Sequence, residues 1–345
     1  MRAVELNGYD GLDSLRVVEI PTPKVAANEC LIEVKATGIN FAELELTRGR
    51  YGVGKEPPFI MGFEAAGVVR AIGASVGSVK VGDRVTAIAS SGGYAQYATA
   101  VAAMAIPIPQ GISYAEATTM PIQGLTAHLL LTQVARVQPP ESLLIQAAAG
   151  GVGTYLVQLA KILGVRKVIA LVGSPEKVDV VESLGADIVV DTSKADWGER
   201  VFAATDGVGV NVVMEAAAGD FGKQSFRLLA PFGRMIMFGA RNAHDTFGPK
   251  EIQQLIYKNQ TISAFNLPSY KPEDVAASVG PLVELIAGGK LRLIVSGEFP
   301  LDRVKDAFEA FASRQTIGKV VLIPNDTTPA AQTEPRECCV GGFAS

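Results

Sequence analysis

The chain has 345 residues, of which 48% are hydrophobic and 19% charged, and its formal net charge is −4. This length suffices for two domains that each bury an apolar core, and no apolar run reaches the roughly 18 residues of a membrane span. The mildly acidic balance argues against a nucleic-acid partner and against binding to an anionic membrane surface.

The cysteines and the N-terminal residues bear on the cellular compartment of the protein. The chain has three cysteines and no Cys-x-x-Cys pair, so we expect neither a disulfide framework nor a structural zinc site. The first residues, MRAVE, are not typical of a signal peptide. Together these features favour a cytoplasmic protein.

Short alternating runs fill the first third of the chain. Residues 31–36, 66–72 and 83–88 alternate between inward and outward side chains, and glycines separate these runs at intervals typical of turns. The pattern predicts a β-barrel-like region.

From about residue 113 to residue 262, predicted strands alternate with predicted helices. The strands are 142–146, 167–172, 188–191, 210–215 and 234–238, and the helices are 153–163, 175–184, 197–205, 221–229 and 249–259. Such alternation predicts an α/β fold with a doubly wound parallel sheet. After residue 266 we predict a helix at 274–287, a strand at 294–299, a helix at 302–313 and a strand at 319–323. Residues 324–345 have no periodicity, which predicts a disordered tail.

A glycine-rich turn connects the first strand of this region to its helix. Gly150, Gly151, Val152 and Gly153 follow the apolar run 143–145 and precede a helical pattern. Glycines let the backbone approach a pyrophosphate, and a helix N-terminus offers N–H groups and a positive dipole end. The strand, turn and helix occur in the order that the motif requires, so the sequence predicts a dinucleotide site.

The second strand of the region bears on the choice between NAD and NADP. It is followed by Gly173 and Ser174, with Lys177 three residues further, and no carboxylate stands directly after the strand. A carboxylate there would bond the ribose hydroxyl of NAD, whereas serine and lysine suit a phosphate. The sequence therefore favours NADP. The nearby carboxylate of Glu176 argues against a phosphate at this place, and Lys177 is alternatively an ordinary solvated lysine on the helix surface. Arg241 is a further candidate contact for phosphate or substrate.

Several segments together resemble a known family. They are 36–41 (ATGINF), 62–69 (GFEAAGVV), 81–85 (VGDRV), 92–97 (GGYAQY), 124–127 (GLTA), 147–153 (AAAGGVG) and 318–321 (GKVV). In this order they resemble the medium-chain dehydrogenase/reductase superfamily, in particular its zinc-free quinone oxidoreductase branch, over about residues 1–323. The resemblance implies a GroES-like barrel domain at 1–122 and 266–323, a Rossmann domain at 123–265, and a homodimer.

The resemblance also addresses the question of a metal. Zinc-dependent members of the superfamily carry a cysteine at the position of Asn40 and a histidine at that of Phe63. Asparagine and phenylalanine cannot hold a tetrahedral catalytic zinc, so we expect no metal. The resemblance then implies hydride delivery from NADPH to an electrophilic small molecule, either a quinone or an α,β-unsaturated carbonyl such as an enoyl or alkenal substrate. A third alternative is a protein that binds NADPH without turnover.

Site residues follow from the same resemblance. Asn40 and Tyr51 are the catalytic candidates: the Asn40 amide would bond a substrate oxygen or a cofactor hydroxyl, and the Tyr51 phenol would donate to the substrate carbonyl. The alternative for Asn40 is a turn residue whose side chain bonds its own backbone. The alternative for Tyr51 is a partly buried tyrosine at the edge of the cleft. Glu64 is interpreted as structural. Besides the glycine turn, Gly173, Ser174 and Lys177, the predicted cofactor contacts are Thr126, Phe238, Gly239, Phe265 and Leu267.

Overall fold

A computed structural model describes residues 1–52, 54–239 and 247–324. Arg241 and residues 325–345 of the predicted tail lie outside these ranges. The strands are β1 (Arg2–Leu6), β2 (Leu15–Glu19), β3 (Glu29–Ile39), β4 (Phe59–Ile60), β5 (Glu64–Ile72), β6 (Arg84–Ile88), β7 (Tyr97–Val101), β8 (Ile106–Pro107), β9 (Ser142–Ile145), β10 (Lys167–Val172), β11 (Ile188–Asp191), β12 (Val210–Glu215), β13 (Leu229–Met237), β14 (Thr261–Ala264), β15 (Val295–Pro300) and β16 (Lys319–Ile323). The helices are α1 (Phe41–Leu46), α2 (Tyr114–Ala117), α3 (Leu125–Leu129), α4 (Gly151–Ile162), α5 (Val178–Ser183), α6 (Trp197–Ala204), α7 (Gly219–Arg227), α8 (Pro249–Lys258), α9 (Pro272–Ala287) and α10 (Val304–Ala312).

Six parallel strands form the sheet of the central region. Their order is β11-β10-β9-β12-β13-β14, and helices α4 to α8 connect them. The chain therefore proceeds outward from β9 in one direction and then, from β12, in the other. This order confirms the predicted doubly wound sheet. In such sheets a ligand binds outside the carboxyl ends of the strands where the order reverses, which here is between β9 and β12.

Strands from both ends of the chain form the barrel-like part. A sheet with the order β15-β16-β3-β5-β6-β8 has β7 paired to β3, and a smaller sheet has the order β2-β1-β4. β16 pairs antiparallel with β3, with Val320 opposite Ile39. The last strands of the described chain thus complete the sheet that the first strands begin, as the predicted discontinuous barrel requires.

The helices differ from the predicted bounds by up to three residues at their ends. α4 begins at Gly151 rather than at residue 153, because Gly150 has the extended backbone of an N-cap residue. The buried side chains of α9, among them Val275 and Leu282, belong to the same apolar core as Leu156 of α4. A segment that was assigned to the barrel domain therefore packs on the α/β part, and the exact domain limits stay a prediction.

Within the described ranges, no helix is both long enough and apolar enough to cross a membrane.

Candidate functional site

The glycine turn lies between β9 and the first turn of α4. A Cβ on Gly153 would overlap the carbonyl oxygen of Ala147, so only glycine permits this approach of helix to turn. By helix geometry, the N–H groups of Gly151, Val152 and Gly153 have no acceptor within α4, and they lie at the positive end of the helix dipole. The turn can therefore bind an anionic group with backbone donors.

A buried amide covers one side of this turn. The side chain of Gln123 fills the space that a Cβ on Gly151 would need, and Gln123 is 6% exposed. Thr126 follows in α3 and is also buried. The sequence predicts Thr126 as a cofactor contact but did not lead us to Gln123. The motif at 124–127, which directly follows Gln123, was the sequence feature that could have indicated it.

A small cavity opens at the carboxyl ends of β12, β13 and β14. It measures about 160 Å³, and its lining residues are Glu215, Ala218, Met237, Phe238, Gly239, Ala264 and Phe265. Gly239 has φ +88, and no atom of the described residues lies within 4 Å of its Cβ position, so the described part of the chain leaves this backbone open to a ligand. The cavity brings together three predicted residues, Phe238, Gly239 and Phe265, and Leu267 is partly buried against the same core as Phe265.

Two basic residues meet at the carboxyl end of β10. The ammonium of Lys177 donates a hydrogen bond to the carbonyl oxygen of Arg314 at 2.5 Å. Burial lowers the pKa of Lys177. The negative charge of Glu176 opposes this shift, and the charge of Arg314 acts in the same direction as burial. Ser174 lies beside them, and its hydrogen bond to the exposed Glu176 lowers the pKa of that carboxyl. Arg314 was not predicted as a phosphate contact, because it lies far from Lys177 in the sequence.

The β10 end also has free space beside these donors. Within the described ranges, no atom lies within 4 Å of the Cβ position of Gly173. The backbone donors of α4, the open glycine and the basic pair fit a dinucleotide that carries a phosphate at the end of β10.

The barrel part contributes a buried polar cluster around Asn40, which precedes the first residue of α1. Asn40 Oδ1 accepts a hydrogen bond from Lys319 Nζ at 2.7 Å, and Asn40 Nδ2 donates to Glu43 and to Glu64 at 3.2 Å each. Lys319 and Glu64 also form an ion pair, and both side chains are completely buried. The amide N–H groups of Asn40 are therefore both engaged within the protein.

Glu43 is the acceptor at the centre of this cluster. Its carboxylate accepts the backbone N–H groups of Asn40 and Phe63, each at 2.7 Å. Burial raises the pKa of Glu43 to about 7, the negative charge of Glu64 adds to this rise, and Lys319 opposes it. The Asn-x-x-Glu spacing of a helix capping box was the sequence signal for Glu43.

Tyr51 lies near this cluster at the edge of the barrel core. Its ring centroid is 6.0 Å from that of Phe63. Burial raises the pKa of Tyr51, and the charge of Glu43 raises it further. The phenol is therefore protonated at neutral pH and can act as a hydrogen-bond donor.

One backbone hydrogen bond connects the cluster to the glycine turn. The N–H of Gly318 donates to the carbonyl oxygen of Ala149 at 2.8 Å, and the next residue is Lys319. The structure thus joins the predicted cofactor turn and the predicted catalytic residue Asn40 through a short stretch of β16.

The position of Phe63 bears on the metal question. Its ring packs against the apolar cluster that contains Tyr94 and Phe308. Over the described ranges, no group of three or more His, Cys, Asp or Glu side chains has the arrangement of a metal site.

Two family models match the chain. Residues 26–110 match the alcohol dehydrogenase GroES-like domain, and residues 151–284 match a family described as zinc-binding dehydrogenase. Among curated proteins, quinone oxidoreductase 1 of Escherichia coli is 33% identical over 93% of this chain and 99% of its own length. The chain is also 31% identical to a highly reducing polyketide synthase of Aureobasidium melanogenum, of whose length it spans 15%.

Solved structures give the same fold. A crystal structure of Escherichia coli quinone oxidoreductase complexed with NADPH superposes with a TM-score of 0.87 at 32% identity, covering 94% of this chain and 100% of that one. The CurK enoyl reductase superposes with a TM-score of 0.84 at 28% identity, covering 93% and 98%.

Proposed function

Because the chain belongs to the quinone oxidoreductase branch of the medium-chain dehydrogenase/reductase superfamily, we propose that it is an NADPH-dependent reductase that delivers hydride to a quinone without a metal. The observation that carries this proposal is the combination of the glycine turn with the Lys177–Arg314 pair at the end of β10. The first site suits a pyrophosphate, and the second suits the additional phosphate of NADPH.

The cofactor contacts are proposed residue by residue. The first N–H groups of α4 bind the pyrophosphate, and Lys177 and Arg314 bind the 2′-phosphate. Ser174 joins them when its hydroxyl exchanges the hydrogen bond to Glu176 for one to the phosphate. The cavity at Phe238, Gly239 and Phe265 receives the nicotinamide end. Thr126 and Leu267 are proposed as further contacts of the cofactor. When bound there, NADPH supplies a hydride from C4 of its nicotinamide.

The chain's own residues orient the substrate and supply a proton donor. Tyr51 donates its phenol O–H to the substrate oxygen, and its raised pKa keeps that proton in place at neutral pH. Asn40 cannot share this task, because both of its N–H groups are already engaged with carboxylates. Of the two contacts considered for Asn40, a cofactor hydroxyl that donates to Oδ1 is therefore favoured over a substrate carbonyl.

Reduction of an α,β-unsaturated carbonyl is the second candidate. It is favoured by the likeness to the CurK enoyl reductase, which covers 93% of this chain. Both reactions begin with the same hydride, but the double-bond reduction also needs a proton at the α-carbon. The two reactions therefore differ in the shape of the substrate pocket and in the need for a proton donor at the α-carbon, and not in the cofactor site.

An oxidation assay distinguishes these functions. NADPH or NADH consumption is followed with a small panel of quinones, 2-alkenals and enoyl thioesters. We expect NADPH to be oxidised with quinones and NADH to be a poor substitute. Turnover of enoyl thioesters alone would reject the quinone proposal, and NADPH binding without any turnover would favour a non-catalytic binding protein. Tyr51→Phe should lower kcat roughly tenfold or more while the NADPH dissociation constant stays the same.

Assembly and location are proposed with the same function. We place the protein in the cytoplasm, where its buried free thiol at Cys30 stays reduced. A homodimer is proposed through β14, which is the last strand of the six-stranded sheet.

A further inference from the structure

The cluster around Asn40 contains three ionisable side chains that the reaction itself does not use. Glu43, Glu64 and Lys319 are each 0% exposed. Such an arrangement is a weak source of stability, since apolar side chains of the same volume often stabilise a core equally well. The backbone is nevertheless adapted to the lysine, because a Cβ on Gly38 would overlap Lys319 Cε. The cluster is therefore a candidate for a role beyond packing.

The chemistry of these groups fixes the orientation of the Asn40 amide. An ammonium can only donate a hydrogen bond, and the Glu43 oxygen that faces the Asn40 amide already accepts the backbone N–H of Asn40. Lys319 therefore holds the amide oxygen, and the two glutamates hold the amide nitrogen. A reversed amide would place its NH₂ group against the ammonium and its oxygen against both carboxylates. The remaining lone pair of Oδ1 is what Asn40 can offer to a ligand.

The same strand reaches the dinucleotide turn. Gly318 donates its N–H to Ala149, and its φ of +76 with a Cβ position that overlaps the carbonyl of Ile294 requires glycine. Lys319 follows directly and donates its own N–H to that carbonyl at 2.9 Å. The contact to the turn and the ammonium that holds Asn40 are thus on adjacent residues of one rigid segment.

We propose that Lys319 is a positioning residue, which holds Asn40 Oδ1 where it accepts a hydrogen bond from a ribose hydroxyl of the bound dinucleotide. Gly318 fixes the distance between this contact and the pyrophosphate turn. The inference rests on the proposed function, because it requires NADPH as the ligand. Lys319 acts through Asn40 and touches no reacting atom.

A pair of matched double variants tests this role. Lys319→Met alone leaves Glu64 buried and unpaired, so its instability would not be informative. Lys319→Met/Glu64→Gln removes both charges and the donor, whereas Lys319→Gln/Glu64→Gln removes both charges but keeps an N–H donor toward Asn40. The NADPH dissociation constant is measured by fluorescence titration, and folding is followed by thermal melting. Lys305→Met/Asp13→Asn, which removes an exposed ion pair, is the control.

We expect the Lys319→Met/Glu64→Gln variant (the methionine pair) to bind NADPH about tenfold more weakly than the wild type. The Lys319→Gln/Glu64→Gln variant (the glutamine pair) should recover most of that loss. Adding Asn40→Ala to the methionine pair should weaken binding no further, because both changes remove the same contact. Equal binding by the two pairs, or losses that multiply with Asn40→Ala, would overturn the positioning role alone. Failure of the wild-type chain to bind NADPH would overturn the proposed function as well.

Discussion

Lys177 and Arg314 lie together although 137 residues separate them in the chain. If they bind the 2′-phosphate, Lys177→Glu places a negative charge beside that phosphate and removes a donor. We expect NADPH binding to weaken at least about tenfold, with little change for NADH, since charge-assisted hydrogen bonds are worth more than neutral ones.

Equilibrium titration with both cofactors measures this preference. Lys80→Glu makes the same charge change at an exposed position of the barrel and should leave both affinities unaltered. An NADPH affinity that is unchanged by Lys177→Glu would show that the 2′-phosphate does not bind at this end of β10.

The buried carboxyl of Glu43 predicts how stability depends on pH. Its folded-state pKa of about 7 lies above the ordinary value of 4.5, so between these values the folded state holds a proton that the unfolded state has released. The free energy of unfolding therefore falls as pH rises from 4.5 to 7, by about 3 kcal/mol from this group, and its contribution is constant above pH 7.

Chemical denaturation at pH 5 and pH 8 measures this contribution. Glu43→Gln cannot ionise, so its free energy of unfolding should fall less between the two pH values than that of the wild type. Glu273→Gln changes an exposed carboxyl of α9 and should keep the wild-type difference. Parallel curves for wild type and Glu43→Gln would contradict the raised pKa.

At the scale of elements, the glycine turn depends on close packing of α4 against the residues after β9. The Cβ of Gly153→Ala would overlap Ala147, so turn and helix must separate. We expect a loss of about 1–3 kcal/mol in the free energy of unfolding, as for an overpacked core, together with weaker NADPH binding.

Gly198→Ala is the matched control for this substitution. Gly198 lies in α6 with no atom within 4 Å of its Cβ position, so alanine there should stabilise the protein by about 0.5 kcal/mol through the entropy of the unfolded chain. Denaturant melts compare the two variants. If both variants gained stability, the close approach at Gly153 would be refuted.

The elements of the α/β part were predictable because their signals are local. A buried strand, the turn at Gly150–Gly153 and the following helix are neighbours in sequence, and the hydrophobic period of each element is visible within a dozen residues. The Asn40–Lys319 contact joins residues 279 positions apart, and Lys177 meets Arg314 in the same way. No local pattern predicts such pairs, because they form only when distant segments pack together, as β16 does on β3 to bring Lys319 to Asn40.

The packing of α9 illustrates the same limit. Its helical period was recognised, but one apolar face can pack on either domain. Val275 and Leu282 contribute to the core that contains α4. Which domain receives a helix depends on the three-dimensional course of the chain and not on the pattern of the helix.

At the scale of the whole molecule, the parallel sheet has an unpaired edge strand, and the helix before it in the chain has exposed apolar side chains. In the described part of the chain, β14 pairs with β13 on one side and with no strand on the other. Three residues of the preceding helix α8 are exposed: Ile252 by 50%, Ile256 by 71% and Tyr257 by 77%. Exposed apolar side chains and an unpaired strand edge are each typical of an interface.

A two-fold axis across this edge would pair β14 with β14 of a second copy and cover α8. Size-exclusion chromatography with light scattering should then give twice the 36.2 kDa mass of the chain. Ile256→Glu buries a charge in that interface and should yield a monomer, because an unpaired charge is costly to desolvate. Val81→Glu, at an exposed apolar residue of the barrel, should remain a dimer. A dimer that is unaffected by Ile256→Glu would place the interface on another face of the molecule.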